Sequence, residues 1–204
     1  MCAPLWTSWK EVSPPCNNSD LLLTADLASR IPAKQRVAKV SGVVDAVCRY
    51  AFEDGLDTEC LRCVVRLVSR KTELDQTSVT NLIKNLFPAQ RVPSDILVTL
   101  VGALGQGQGK PSPGTQHGLV QWLVTVHGIF EDPNLLSRLY NVLFGMLDMI
   151  SIRCVSARQC AISTNHFRTP LCHLLSLLTR RKHVKAFRIQ RLYARLCVGS
   201  YYVH

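Results

Sequence analysis

At 204 residues, 47% apolar and 19% charged, the chain is long enough to bury a core in one domain or one run of repeats, and too apolar for a disordered tail. Its formal net charge of +10 sits at one end: residues 1–148 carry fourteen Lys/Arg and fourteen Asp/Glu, whereas residues 149–204 carry ten Lys/Arg and no acid. A basic end on a neutral body argues for a local anionic partner, such as nucleic acid or an acidic protein surface, more than for general solubility.

No apolar run approaches the roughly 18 to 20 uninterrupted residues of a membrane span. The start, Met1-Cys-Ala-Pro-Leu-Trp6, lacks the cationic and apolar regions of a signal peptide. The expectation is a chain of a reducing compartment, without a membrane or a small-molecule substrate, whose nine cysteines are mostly thiols.

Residues 1–19 read as a flexible N-terminal segment. From residue 20 to residue 196 one pattern recurs, apolar side chains at i, i+3, i+4 and i+7. It runs through Val40, Val43, Val44 and Val47, then Leu61, Val64, Val65 and Val68, then Val79, Leu82, Ile83 and Leu86, then Leu97, Leu100, Val101 and Leu104. A glycine-rich linker, 105–114, follows. The pattern resumes at Leu119, Trp122, Leu123, Val126, Ile129 and Phe130, and continues through Leu136, Leu139, Leu143, Met146, Leu147 and Ile150. Two more stripes come last, Leu171, Leu174, Leu175 and Leu178, then Ile189, Leu192, Tyr193 and Leu196. Residues 197–204 read as a tail.

The punctuation supports helices. Asp132-Pro133 and Thr169-Pro170 predict an N-cap followed by proline at the first helical position, and Ser94-Asp95 predicts a third N-cap. Pro88 closes the helix that begins near Thr77, and Gly55 follows one that ends near Asp54. A helix with one apolar stripe must bury it on neighbours. The predicted fold class is therefore all-α, a HEAT/armadillo-like helical-repeat array of about eight or nine helices in paired units of about 40 residues, with a closed helical bundle as the alternative.

Chemistry-bearing patterns are few. Gly105-Gln-Gly-Gln-Gly-Lys110 has the glycines and lysine of a phosphate loop, but Leu104 and Pro111 stand where that loop needs Gly and Ser/Thr. Cys60 and Cys63 form a lone C-x-x-C inside a helical stripe, which suits buried thiols better than a metal. Cys154, Cys160, His166, Cys172 and His173 are spaced too widely for a compact zinc loop. His117, His127, His173 and His183 fall in or beside separate helices, and no nucleophile sits at a strained strand-to-helix turn, so the expectation is no enzyme, no cofactor and no metal.

The segment Thr169-Pro-Leu-Cys-His-Leu-Leu-Ser-Leu-Leu-Thr-Arg-Arg-Lys-His-Val-Lys-Ala-Phe-Arg-Ile-Gln-Arg-Leu192 resembles a signature of the centromere protein I family. Upstream, Gly118-Leu-Val-Gln-Trp-Leu-Val124 with Phe130, and Leu139-Tyr-Asn-Val-Leu-Phe144, resemble a second stretch of that family. Gly55-Leu56, Ile83-Lys84, Phe87-Pro88-Ala89 and Ser94-Asp95 resemble the helices before it. The resemblance covers about residues 36–195 and only the N-terminal part of longer family members, which implies a fragment, an isoform or an incomplete gene model. Two stretches depart from the pattern: 153–168, read as an insertion, and the tail 197–204.

The resemblance implies a non-enzymatic scaffold subunit of the inner kinetochore, within the constitutive centromere-associated network. Its implied partners are the centromere protein H, K and M subunits, and its implied role is support of centromeric H3-variant chromatin and chromosome segregation. The implied location is the nucleus, at the centromere of the chromosome. A generic helical-repeat adaptor and a basic or zinc-dependent nucleic-acid-binding module are the alternatives.

The residues assigned to partner or DNA contact are basic. Lys185, Arg188, Arg191 and Arg195 recur three to four apart and line one side of a helix over roughly 15 Å, with Arg180, Arg181 and Lys182 at its entry. No interleaved aromatics are counted for base stacking, so direct DNA or nucleosome contact and a protein partner both remain open beside a merely solvated face.

Overall fold

A computed structural model describes residues 33–72, 74–153 and 161–192, with side chains over 41–72, 74–147 and 167–192. These residues form helices and no strand, in the order α1 (Ala33–Glu53), α2 (Thr58–Val68), α3 (Gln76–Lys84), α4 (Ser94–Ala103), α5 (Pro113–Val126), α6 (Leu135–Arg138), α7 (Tyr140–Arg153) and α8 (Ala161–Leu178). A 3₁₀ turn, Arg181–His183, then leads into α9 (186–192).

Local chemistry sets most boundaries. The Asp57 carboxylate accepts the Cys60 amide at 2.8 Å, and Asp75 accepts the Ser78 amide at 2.9 Å, so α2 and α3 each begin on an aspartate cap. Ser112 caps α5 with Pro113 at its first turn. Gly55, at φ 78°, ends α1 in the left-handed region, and a Cβ there would stand 2.9 Å from the Ala89 Cα. The chain turns at this close approach because only glycine fits it.

The caps differ from expectation at three places. Pro93 rather than Ser94 is the cap of α4, a one-residue shift. Asp132 lies before the helix it was expected to cap. Its Oδ1 accepts the Asn134 amide at 2.9 Å, and the helix starts only at Leu135. Thr169 caps nothing, because α8 begins at Ala161 and runs through Pro170. The proline removes one amide donor from that helix, and burial of Phe167 on one side and Leu171, Leu174 and Leu175 on the other holds the helix continuous across it.

The helices pack in alternation. α1 lies against α3, α3 against α5 and α5 against α8, while α2 packs on α4 as well as on α3, and α7 packs on α8. Neighbours in one layer are thus separated by one or more helices in sequence, which is how stacked helical pairs are arranged in a repeat array. Loops stack with the same step: Leu56 bridges to Pro88 and Val92 bridges to Phe130 as isolated pairs.

Every stripe from α2 to α8 supplies core among the described residues. Leu61, Leu86, Leu97, Leu100, Leu119, Leu123, Leu143, Leu171 and Leu174 are among the largest fully buried side chains, each stabilising the fold by about 1.5 to 3 kcal/mol relative to exposure. Trp122 adds a polar tie, its indole N–H donating to the Leu86 carbonyl at 2.6 Å. The stripe of α9 behaves differently, for Ile189 and Leu192 remain on the surface.

The glycine-rich linker is tethered. Gln116 accepts the Gly105 amide at 2.9 Å and donates to the carbonyls of Gly105 and Pro111, both at 3.0 Å. The Lys110 ammonium donates to the Gly102 carbonyl. Pro113 and Gly114, expected in the linker, are the first residues of α5.

Candidate functional site

Below the end of α8 the chain makes one 3₁₀ turn, and His183 at its close is buried. The imidazole lies on the Tyr140 ring, 4.2 Å between centroids and 10° between planes. Its Nδ1 is 3.1 Å from the Leu178 carbonyl oxygen and 3.2 Å from the Arg180 amide nitrogen. Tyr140 stacks further on Phe144, at 6.1 Å, and its hydroxyl is 3.2 Å from the Thr179 Oγ1. Burial pushes the His183 pKa down; the Leu178 hydrogen bond opposes this, and the charges of Lys182, Arg188 and Arg180 lower it further.

Arg188 completes this cluster and leaves the basic stripe. Its guanidinium stands 5.3 Å from the Tyr140 centroid, 5.7 Å from Phe144 and 5.3 Å from Phe187. It donates to the Asn141 side-chain oxygen and to the His183 carbonyl. The face read as Lys185, Arg188, Arg191 and Arg195 is therefore divided. Arg188 is half-buried and ties α9 to α7, Lys185 and Arg191 are exposed, and Arg195 lies outside the described residues. Arg180, Arg181 and Lys182 are all exposed around the 3₁₀ turn. The exposed cations are thus Arg180, Arg181 and Lys182 at the turn and Lys185 and Arg191 after it.

In the sequence, Tyr140 and Asn141 stand out only within the family-like stretch 139–144 and His183 only as a histidine in or beside its own helix, with nothing to bring the three together. Arg188 and Asn141 are 47 residues apart, and helical periodicity carries no signal for a contact across that separation. Phe187 was visible and missed: it is an aromatic between Lys185 and Arg188, half-exposed and beside a guanidinium.

The other candidate positions do not converge. Cys172 and His173 are exposed on α8, Cys154 and Cys160 lie outside the described residues, and the His166 side chain does too. Among the described residues no group of three or more His, Cys, Asp or Glu is placed to hold a metal ion. Cys60 and Cys63 are both buried on α2, and burial raises the pKa of the Cys63 thiol. His117 and His173 line a cleft of about 730 Å³ between α5 and α8, together with Gln121, Thr125 and Thr169. Among the described residues no helix is long and apolar enough to cross a membrane.

Comparison with known proteins places these features. The family model described as CENP-I, Mis6 matches residues 27–198. The inner kinetochore subunit mis6 of Schizosaccharomyces pombe is 32% identical over 147 residues, 72% of this chain and 20% of that protein. Centromere protein I of Gallus gallus is 29% identical over 125 residues, 61% of this chain and 14% of that protein. Among solved structures, a chain in the crystal structure of the kinetochore subunits Cenp-H/I/K triple complex superposes with a TM-score of 0.71 at 33% identity, covering 88% of this chain and 78% of that one. The chain thus spans about a fifth or less of the curated relatives. With most of its length matched by one family model, the chain belongs to the CENP-I/Mis6 family of inner kinetochore proteins.

Proposed function

We propose that this chain is a non-enzymatic scaffold segment of the inner kinetochore, the N-terminal helical-repeat part of a centromere protein I, working in the nucleus at the centromere. It assembles with the centromere protein H and K subunits, and through the complete complex with M, in support of centromeric H3-variant chromatin and chromosome segregation. The observation that carries this reading is the joint likeness in sequence and fold to a chain in the Cenp-H/I/K structure, at 33% identity and a TM-score of 0.71. A two-layer helical array suits such a role, since its extended surface binds partners without a closed active-site cleft.

Co-expression with H and K subunits and size-exclusion chromatography test it. One co-eluting complex is expected, and elution of this chain apart from both subunits would overturn the proposal. The exposed Arg180 and Arg181 favour a second contact of the same segment, with the phosphates of centromeric DNA. There, affinity for a duplex should fall steeply with salt, by a slope of about 0.9 for each phosphate neutralised.

A further inference from the structure

The surface that follows the 3₁₀ turn joins two kinds of side chain that seldom share exposed ground. Val184, Phe187, Ile189 and Leu192 are 55%, 52%, 44% and 44% exposed, four large apolar groups within nine residues of chain. Lone exposed apolar residues are ordinary, whereas several so close together in the chain single out this segment as a candidate contact surface. The charged residues of this segment are all cationic, Arg181, Lys182 and Lys185 among them, and residues 149–204 contain no Asp or Glu. On α9, Ile189 and Leu192 are one turn apart, and Lys185 precedes Ile189 by four residues on the same side.

This combination selects among partners. A DNA duplex satisfies the cations through its phosphates, but it offers no apolar cover for Ile189 and Leu192. An acidic loop meets the same cations and likewise leaves the apolar groups wet. A helix with an apolar seam bordered by Asp and Glu satisfies both, burying aliphatic surface worth about 25 cal/mol per Å² while its carboxylates meet the lysines at the rim. We infer that the 184–192 surface is a docking site for an acidic amphipathic helix of a protein partner, which lays its apolar seam on Ile189 and Leu192 and its carboxylates on Lys182 and Lys185. The inference rests on the scaffold reading in taking the chain as part of a protein assembly.

The test uses the whole chain and a fluorescent helical peptide of about 20 residues with a leucine seam flanked by glutamates, read by fluorescence anisotropy beside a labelled DNA duplex. Ile189→Ser with Leu192→Ser, and separately Lys182→Glu with Lys185→Glu, should each weaken peptide binding by about tenfold or more. All four positions are exposed, and circular dichroism verifies that both variants keep their helicity. A peptide with lysines for glutamates should bind the Glu variant and not the original chain. Equal binding of the acidic peptide to all three proteins overturns the inference. So does duplex binding that alone responds to both pairs of substitutions, or light scattering that shows a dimer of the original chain dissolved by the serine variant. Co-elution with H and K subunits separates the two proposals: if the original chain keeps both subunits while the peptide fails, only the docking site is lost.

Discussion

The His183 imidazole lies parallel to the Tyr140 ring at 4.2 Å, and the Arg188 guanidinium stands 5.3 Å from the centroid of the same Tyr140. One residue of α7 thereby holds both the turn that follows α8 and the helix after it. Tyr140→Ala should cost about 2 to 4 kcal/mol, because it removes a buried aromatic ring. Tyr140→Phe loses only the hydroxyl contact with Thr179 and should cost about 0.5 to 1.5 kcal/mol. Urea unfolding followed by circular dichroism measures both. Equal losses for the two variants would mean that the ring carries nothing.

The same cluster makes the C-terminal end sensitive to acid. The folded pKa of His183 lies below its ordinary value, so between the two values the unfolded chain binds more protons than the folded one and stability rises with pH. This contribution is complete above about pH 6.5 and is lost as pH falls through that value toward the folded pKa. Protonation also turns Nδ1 from an acceptor of the Arg180 amide into a donor to the Leu178 carbonyl, which offsets part of the loss, and places a charge among Arg180, Lys182 and Arg188. His183→Phe keeps a flat ring on Tyr140 without the titration, so its melting temperature should fall less than that of the original chain between pH 7 and pH 5. A proton NMR titration of His183 with a midpoint at or above 6.5 would exclude this account.

The faces of the helices were legible in sequence because burial repeats at the helical period: Leu119, Leu123 and Leu97 were placed in stripes and all are buried. Contacts between helices were not. Nothing in periodicity links Arg188 to Tyr140, so the packing of this half-buried cation on α7 carries no signal in a stripe of basic residues. The opposite error occurs at Ile189 and Leu192, read as a stripe that must be covered and found exposed. A stripe reveals which side of a helix is apolar and leaves open which element covers it. Pro170 misled for a local reason, since its sequence context is that of a helix start and only packing shows the helix continuing through it.

Gln116 should be the strongest single determinant of the 104–112 loop. Its amide makes three hydrogen bonds of 2.9 to 3.0 Å, to the Gly105 amide and to the Gly105 and Pro111 carbonyls. Gln116→Leu keeps the volume and leaves those three backbone groups facing an aliphatic side chain, at a cost of about 2 to 4 kcal/mol. Hydrogen exchange at the Gly105 amide should accelerate in step. A stability change under about 0.5 kcal/mol would show that water replaces the amide without penalty.

The last prediction concerns 153–168, the stretch that departs from the family pattern. α8 begins at Ala161 and Phe167 is buried, so 161–168 contributes helix and core, whatever its origin. Joining Ile152 to Thr169 would remove these turns and leave a shortened helix that starts at Pro170, a residue suited to a first turn. The loss should be about 3 to 5 kcal/mol, dominated by the Phe167 ring. Replacing only 154–160 by Gly and Ser at equal length, a change that the insertion reading of 153–168 expects the fold to tolerate, should alter stability by less than about 1 kcal/mol. Thermal melting of the two variants beside Phe167→Ala separates the contributions. If the replacement is as damaging as the deletion, residues 154–160 are themselves an integral packing element. If the deletion proves neutral, the whole of 153–168 is a dispensable insertion and Phe167 adds nothing to the core.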